Sequence, residues 1–226
     1  RILGYIRDIL IAIFLGSGLL ADAFFVAFRI PNTFRRLFSE GTFNAAFVPS
    51  YSSELLVTKK KGEIFANKIL NILIISLFLL VLIIEVFMPG FIFVIAPGFS
   101  ENSEKLELAI NLTRITFPFL FFVSLSSFFS AILNSHNKFA AASAAPIILN
   151  IVLILVLMFS RLLDDQLVYY LSYGVSLAGI LQLLFLYKFV TKYYSLKFNF
   201  KIIVDNKVKI FFKKLLPSIF SSGVTQ

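Results

Sequence analysis

FAAASAAPIILNIVLILVLMFS, residues 139–160, carries no charged side chain from end to end. A helix needs roughly 20 consecutive apolar residues to cross a bilayer core about 30 Å thick, and this run is long enough. Two more uncharged runs, 69–84 and 115–135, lie upstream of it. The whole chain of 226 residues is 59% hydrophobic with a mean hydropathy of +0.92. This composition lies far from that of a soluble globular domain. The reading is therefore an all-α, polytopic membrane helical bundle.

The segments follow from punctuation. Segment one occupies 1–15 and ends at Gly16-Ser17-Gly18. Segment two starts near Ala21, with Asp22 placed as an N-terminal cap and Pro31 as a kink. A helical pattern resumes over 42–56 after Ser39-Glu40-Gly41. Lys59-Lys60-Lys61-Gly62-Glu63 reads as a basic loop. Segment three covers 65–87 and is ended by Met88-Pro89-Gly90. Residues 91–99 read as a re-entrant or interfacial piece, and 100–107 as a polar loop. Segment four covers 108–133, kinked near Pro118. Segment five is the opening run, whose small residues 140–145 would admit a neighbouring backbone. Segment six covers 167–189. Residues 188–214 contain eight lysines and one acid, Asp205, and segment seven begins near Leu215. The domain reading is a six-helix membrane lobe over 1–192, a basic cytoplasmic linker over 193–214, and the start of a second lobe over 215–226. The first residue is not Met and the last lies in an apolar stretch, so the chain reads as a piece of a longer protein.

The net charge of +9 would suggest nucleic acid in a soluble protein. In a membrane protein, topology explains it first, because cytoplasmic loops collect Lys and Arg. The loops at Lys59, at Lys138 and over 188–214 are basic, while those around 101–107 and 164–165 are acidic or mixed. This alternation predicts six crossings with the basic loops in the cytoplasm. Lys59–Lys61 and the lysines of 188–214 could alternatively bind anionic headgroups. Cysteine is absent and histidine occurs once, as His136, which excludes disulfides and thiolate sites. No phosphate loop, dinucleotide fingerprint, zinc-protease motif or catalytic triad is present. The chain is expected to be a transporter rather than an enzyme, with no cofactor and no metal.

RIPNTFRRLFSEGTFNAAFVP, residues 29–49, contradicts the apolar background. Arg1, Arg7, Asp8, Asp22, Arg29, Arg35, Arg36 and Glu40 crowd the first 40 residues. A charge at the bilayer centre costs roughly 2.5–3.5 kcal/mol on insertion scales, so four would cost about 10–14 kcal/mol. Segments one and two tolerate this only if the side chains face a polar cavity or each other. Asp22, Arg29 and Arg36 are spaced seven apart and fall on one helical stripe. Arginines in excess of acids suit a phosphate or diphosphate, because guanidinium offers a planar fork of donors. Plainer readings stand beside these. Arg35 and Arg36 could snorkel to the interface, Asp22 could be only a cap, and Arg7-Asp8 could be a structural pair. Glu40 could break a helix or pair with Arg36, Arg114 would be structural, and His136 would be a loop residue.

Several motifs resemble the MurJ (MviN) lipid II flippases of the multidrug/oligosaccharidyl-lipid/polysaccharide exporter superfamily. They are Arg1-Ile-Leu-Gly4-Tyr-Ile-Arg7-Asp8, Asp22-Ala23-Phe24, Ala27-Phe28-Arg29-Ile30-Pro31-Asn32, Arg35-Arg36-Leu37-Phe38-Ser39-Glu40-Gly41 and Ala46-Phe47-Val48-Pro49. Ala96-Pro97-Gly98-Phe99, Thr116-Phe117-Pro118 and Ala131-Ile-Leu-Asn134 follow in the family's order. The resemblance implies about fourteen helices in two six-helix lobes plus a terminal pair. It implies alternating access in the bacterial inner membrane, with undecaprenyl-diphosphate-linked lipid II as substrate, membrane lipids around it and the peptidoglycan-synthesis machinery as a partner. It marks Arg1, Arg7, Arg35 and Arg36 as substrate-binding and Asp8, Asp22, Arg29 and Glu40 as organising a cationic cavity. The rivals are another lipid-linked polysaccharide flippase, a cation-coupled drug exporter of the same superfamily, and a non-transporting scaffold.

Overall fold

The computed structural model describes residues 2–39, 42–159, 166–199 and 201–224, with side chains described except at 34–39, 42 and 216–224. Every regular element among them is helical. In chain order these are α1 (Ile2–Leu15), α2 (Leu19–Ser39), α3 (Thr42–Val57), α4 (Lys59–Val86), α5 (Met88–Ile95), a 3-10 turn (Pro97–Glu101), α6 (Ser103–Thr116), α7 (Phe119–Ser135), α8 (Phe139–Met158), α9 (Leu167–Val190) and α10 (Asn206–Val224). Among the described residues four helical stretches are long and apolar enough to cross a membrane: Lys59–Val86, Ser103–Ser135, Phe139–Met158 and Leu167–Val190. Of the other two expected crossings, α1 has only 14 residues, and α2 carries Asp22 and three arginines in its 21.

Several boundaries differ from the sequence reading, each for a local reason. Lys59-Lys60-Lys61 is not a loop. Thr58 acts as the N-cap, its Oγ1 accepting from the Lys61 N–H at 3.2 Å, so the lysines form the first turn of α4. Segment three ends at Met88-Pro89-Gly90 as expected, with α4 closing at Val86, and the same residues open α5, because proline in a first turn lacks only a donor that would go unused. Residues 91–99 accordingly continue α5 and enter the 3-10 turn. The polar loop shrinks because the Asn102 side chain caps α6, accepting from the Lys105 N–H at 3.0 Å. The break between α6 and α7 falls at Phe117-Pro118 as expected, and the Phe117 N–H still reaches the Thr113 carbonyl at 2.7 Å. Gly16 (φ 62°) and Gly18 (φ 150°) supply the turn before α2.

Asp22 is not a cap. The helix begins at Leu19, and the Asp22 N–H already donates to the Gly18 carbonyl at 3.0 Å. The basic linker is also shorter than expected, because α10 starts at Asn206 rather than near Leu215. Asp205 supplies the missing cap, accepting from the Val208 N–H at 2.9 Å.

The chain forms two compact units. Unit one draws on the described residues of Arg1–Thr33, Leu80–Leu120 and Pro146–Gln182. Phe24 stacks on Phe28 at 5.8 Å, and Phe91 meets Phe117 edge-on at 5.7 Å. Two hydroxyls join its helices: Thr116 donates to the Ala27 carbonyl at 2.8 Å, and Ser176 to the Ile115 carbonyl. Gly174 on α9 lets α8 approach, and a Cβ there would lie 3.3 Å from both Leu153 and Val156. In the small run 140–145, which belongs to unit two, Ala145 is buried in the core and Ala141 packs against it, while Ala140 and Ser143 are exposed.

Unit two draws on the described residues of Phe34–Leu79, Phe121–Ala145 and Leu183–Gln226. Its core is aromatic, with Phe47 at the centre touching Phe43 (5.3 Å), Phe128 (5.1 Å) and Phe211 (6.2 Å). Stacked and edge-on aromatic pairs add about 0.5–1.5 kcal/mol each beyond area burial. The segment after α9 is fastened to α4 by two asparagines one turn apart. Asn67 Oδ1 accepts from the Tyr194 hydroxyl at 2.5 Å and the Lys197 N–H at 2.9 Å, and Asn71 Oδ1 accepts from the Asn199 N–H at 3.2 Å.

Candidate functional site

Asp22 and Arg29, the charged residues of α2 whose side chains are described, stand where their spacing requires. Ala23, Phe24, Ala27, Phe28 and Ile30 are buried, while Asp22, Phe25, Arg29 and Thr33 are exposed. The exposed positions recur every three or four residues and make one continuous face. Pro31 lies inside the helix and does not divide that face. Among the described residues no carboxylate pairs with Arg29.

Asp22 finds a partner that its sequence neighbours do not reveal. Lys105 on α6 donates to Asp22 Oδ2 at 2.5 Å, and its ammonium lies 4.4 Å from the centre of the Phe99 ring. Lys105 neutralises the acid of the stripe and leaves Arg29 without a carboxylate among the described residues. The two pair members are 83 residues apart, so no local pattern announces them.

Arg7 is held on two edges and one face. Its Nε and Nη2 donate to Asp8 Oδ1 at 2.9 and 2.6 Å, and Nη1 donates to Asn150 Oδ1 at 2.9 Å. The guanidinium carbon lies 5.2 Å from the Phe28 ring centre. The structural pair of Arg7 and Asp8 therefore forms. Three of the five guanidinium N–H groups are engaged in these bonds. The Arg7 side chain is 14% exposed and that of Asp8 62% exposed, so the acid can be displaced while the arginine stays fixed. Asn150 was missed as a site residue. Its signal was its being the lone amide in the apolar run of α8.

Arg1 and Glu40 lie outside the described residues, as do the side chains of Arg35 and Arg36. Arg114 is exposed on α6. His136 follows α7 in the turn expected of it, but it is packed rather than free. Its ring stacks on Tyr193 at 5.0 Å, and its Nε2 lies 3.3 Å from the Tyr51 hydroxyl. Burial, with Lys59 nearby, pushes its imidazole below the ordinary histidine value. Among the described residues no cluster of His, Cys, Asp or Glu has metal-ligand geometry.

Comparison with known proteins gives a consistent result. The sequence model of the family described as "Lipid II flippase MurJ" matches residues 11–226. The probable lipid II flippase MurJ of Rickettsia prowazekii (strain Madrid E) is 39% identical over 230 residues, covering 100% of this chain and 44% of that protein. The probable lipid II flippase MurJ of Rhizobium tropici is 40% identical over 232 residues, covering 100% and 43%. A solved structure, "Lipid II flippase MurJ, inward closed conformation", superposes with a TM-score of 0.80 at 29% identity, covering 100% of this chain and 46% of that one. The chain thus spans less than half the length of these relatives.

Proposed function

Because the chain belongs to the lipid II flippase MurJ family, transporters rather than enzymes, we propose that it supplies the first lobe of a lipid II flippase of the bacterial inner membrane. In this reading residues 1–192 form a six-helix lobe, a basic cytoplasmic linker runs from 193 to the start of α10 at Asn206, and α10 leads into a second lobe. The observation that carries the reading is the charged face of α2. In a chain this apolar, an exposed arginine in the middle of a helix needs water, an anion or the remainder of the protein beside it.

The geometry suits a diphosphate. Arg7 is oriented in advance by Asn150 and Phe28, so little side-chain entropy is lost when it binds. An incoming phosphate oxygen takes over the Nε and Nη2 edge from the exposed Asp8. Arg29 adds the charge that Lys105 leaves unopposed by pairing with Asp22. Arg1, Arg35 and Arg36 join as substrate ligands by family resemblance, with Glu40 as an organising acid. Neutralising these arginines with lipid II favours closure on the cytoplasmic side, which is one half of alternating access. The basic loops then face the cytoplasm, where the peptidoglycan-synthesis machinery delivers the precursor.

The test is rescue of a cell depleted of its own flippase, using the complete gene. Wild type should restore growth and outer-leaflet lipid II. Arg7→Ala, Arg29→Ala, Arg35→Ala and Arg36→Ala, each present in the membrane at normal levels, should not. Arg7→Lys keeps the charge but loses the fork, and should behave like Arg7→Ala. Rescue by every variant would reduce these arginines to interfacial anchors. Failure of expressed wild type would move the protein to the polysaccharide- or drug-exporting branches.

A further inference from the structure

Unit two contains a cleft of about 380 Å3 where the α7–α8 turn meets the end of α9. Lys138 and Lys192 line it together with Leu133, Phe139, Phe189 and Tyr193, and no acid is among its lining residues. Neither lysine is ion-paired among the described residues, unlike Lys68, Lys105 and Lys207, which each hold a carboxylate.

The turn that places Lys138 is defined. The Lys138 N–H donates to the Leu133 carbonyl at 2.8 Å and the Asn137 N–H to the Asn134 carbonyl at 3.0 Å, with Asn137 at φ 57°. This pair of bonds with a left-handed residue is a Schellman closure, which draws the residue after the turn back over the last helical turn. Lys138 and Leu133 therefore share one wall. The opposite wall is fixed by the Tyr193 and Tyr194 N–H groups, both donating to the Val190 carbonyl at 2.9 Å, and by the stacking of Tyr193 on His136.

Lys192 lies just past the C-terminus of α9, where a cation is favoured. Lys138 stands between the C-terminus of α7 and the start of α8, whose dipoles act on it in opposite senses. The turn joins two membrane-length stretches directly, so the cleft lies at the level where helices leave the hydrocarbon and lipid phosphates are found. Its volume is at the small end for ligand pockets, enough for a headgroup and its glycerol but not for a glycopeptide.

We propose that this cleft binds the headgroup of an anionic phospholipid, the phosphate lying between Lys138 and Lys192 and the glycerol and first methylenes against Phe139 and Phe189. Lipid II transport plays no part in this inference, which stands or falls separately from it.

The test uses the complete protein, delipidated and then equilibrated with phosphatidylglycerol or phosphatidylcholine, with retained lipid counted by native mass spectrometry. Phosphatidylglycerol should be retained in preference to phosphatidylcholine. Lys138→Gln with Lys192→Gln should bind it roughly 30-fold more weakly, since each lysine near an anionic headgroup contributes a factor of about five. Lys138→Arg with Lys192→Arg should retain it. Ala140→Trp, on the exposed rim of the cleft, should block binding with both charges intact. Unchanged retention in the double Gln variant or in Ala140→Trp would overturn the proposal. So would displacement by glycerol 3-phosphate at equal concentration, which would mark a site for soluble anions.

Discussion

Asp205 makes two attachments at once: Oδ2 accepts from Lys68 at 2.7 Å and Oδ1 accepts from the Val208 N–H that opens α10. The Lys68 hydrogen bond, aided by the backbone donor and opposed by partial burial, holds its carboxyl below the usual aspartate value. A carboxylate whose folded pKa is depressed contributes stability that is complete above the unfolded value, near 3.9. That contribution is lost as pH falls through the lower folded value. Amide protection at Val208, corrected for intrinsic exchange, should therefore stay flat down to about pH 4 and decline below it. Lys68→Met should shrink the decline, because the folded value moves back towards the unfolded one and the window between them narrows. Superimposable profiles for the two proteins would remove Lys68 as the cause. Single residues were legible in the sequence to different degrees. The stripe of Asp22 and Arg29 could be read because helical spacing alone sets it. Lys105 could not be read, because its meeting with Asp22 depends on how α2 and α6 pack.

Among the elements, α4 shows how a tertiary contact overrides a local signal. Three lysines and a glycine read as a loop, yet Thr58 caps them into a helix and Gly62 is buried against α3. A Cβ on Gly62 would lie 2.6 Å from Leu55 Cδ2 and 2.9 Å from Leu55 Cγ. Alanine gains about 1 kcal/mol of helix propensity over glycine, whereas overpacking a fitted contact costs about 1–3 kcal/mol. The second effect should win, so Gly62→Ala should lower the thermal midpoint of the purified protein. In a Leu55→Ala background the same change should raise it, because the obstructing atoms are gone and propensity alone remains. A rise in the wild-type background would show that Leu55 swings away freely. The long apolar elements were legible because their length and composition leave few alternatives. Their ends were less so, since caps such as Thr58, Asn102 and Asp205 compete with equally plausible loop readings until the neighbouring helix is in place.

For the whole molecule, the decisive question is what each exposed surface touches. Leu82 and Ile83 on α4 are 47% and 50% exposed, and their chemistry assigns them to lipid. Asp22 and Arg29 on α2 are exposed too, and their chemistry assigns them to water or to a polar partner surface. The chain has no cysteine, so single cysteines can be introduced into it without a competing thiol. In the complete protein, Asp22→Cys and Arg29→Cys should react with a small hydrophilic maleimide at least about tenfold faster than Leu82→Cys and Ile83→Cys, because an intramembrane ionisable position faces a wet cavity and a lipid-facing one does not. On the proposed function, saturating lipid II held by the other arginines should shield position 29 and slow Arg29→Cys more than Asp22→Cys, which lies about two turns away towards the start of α2. Equal, slow labelling at all four positions would mean a dry α2 face, which fits a scaffold and not a transport path. Fast labelling at both α2 positions without protection by lipid II would keep the water-filled cavity and move the diphosphate away from Arg29.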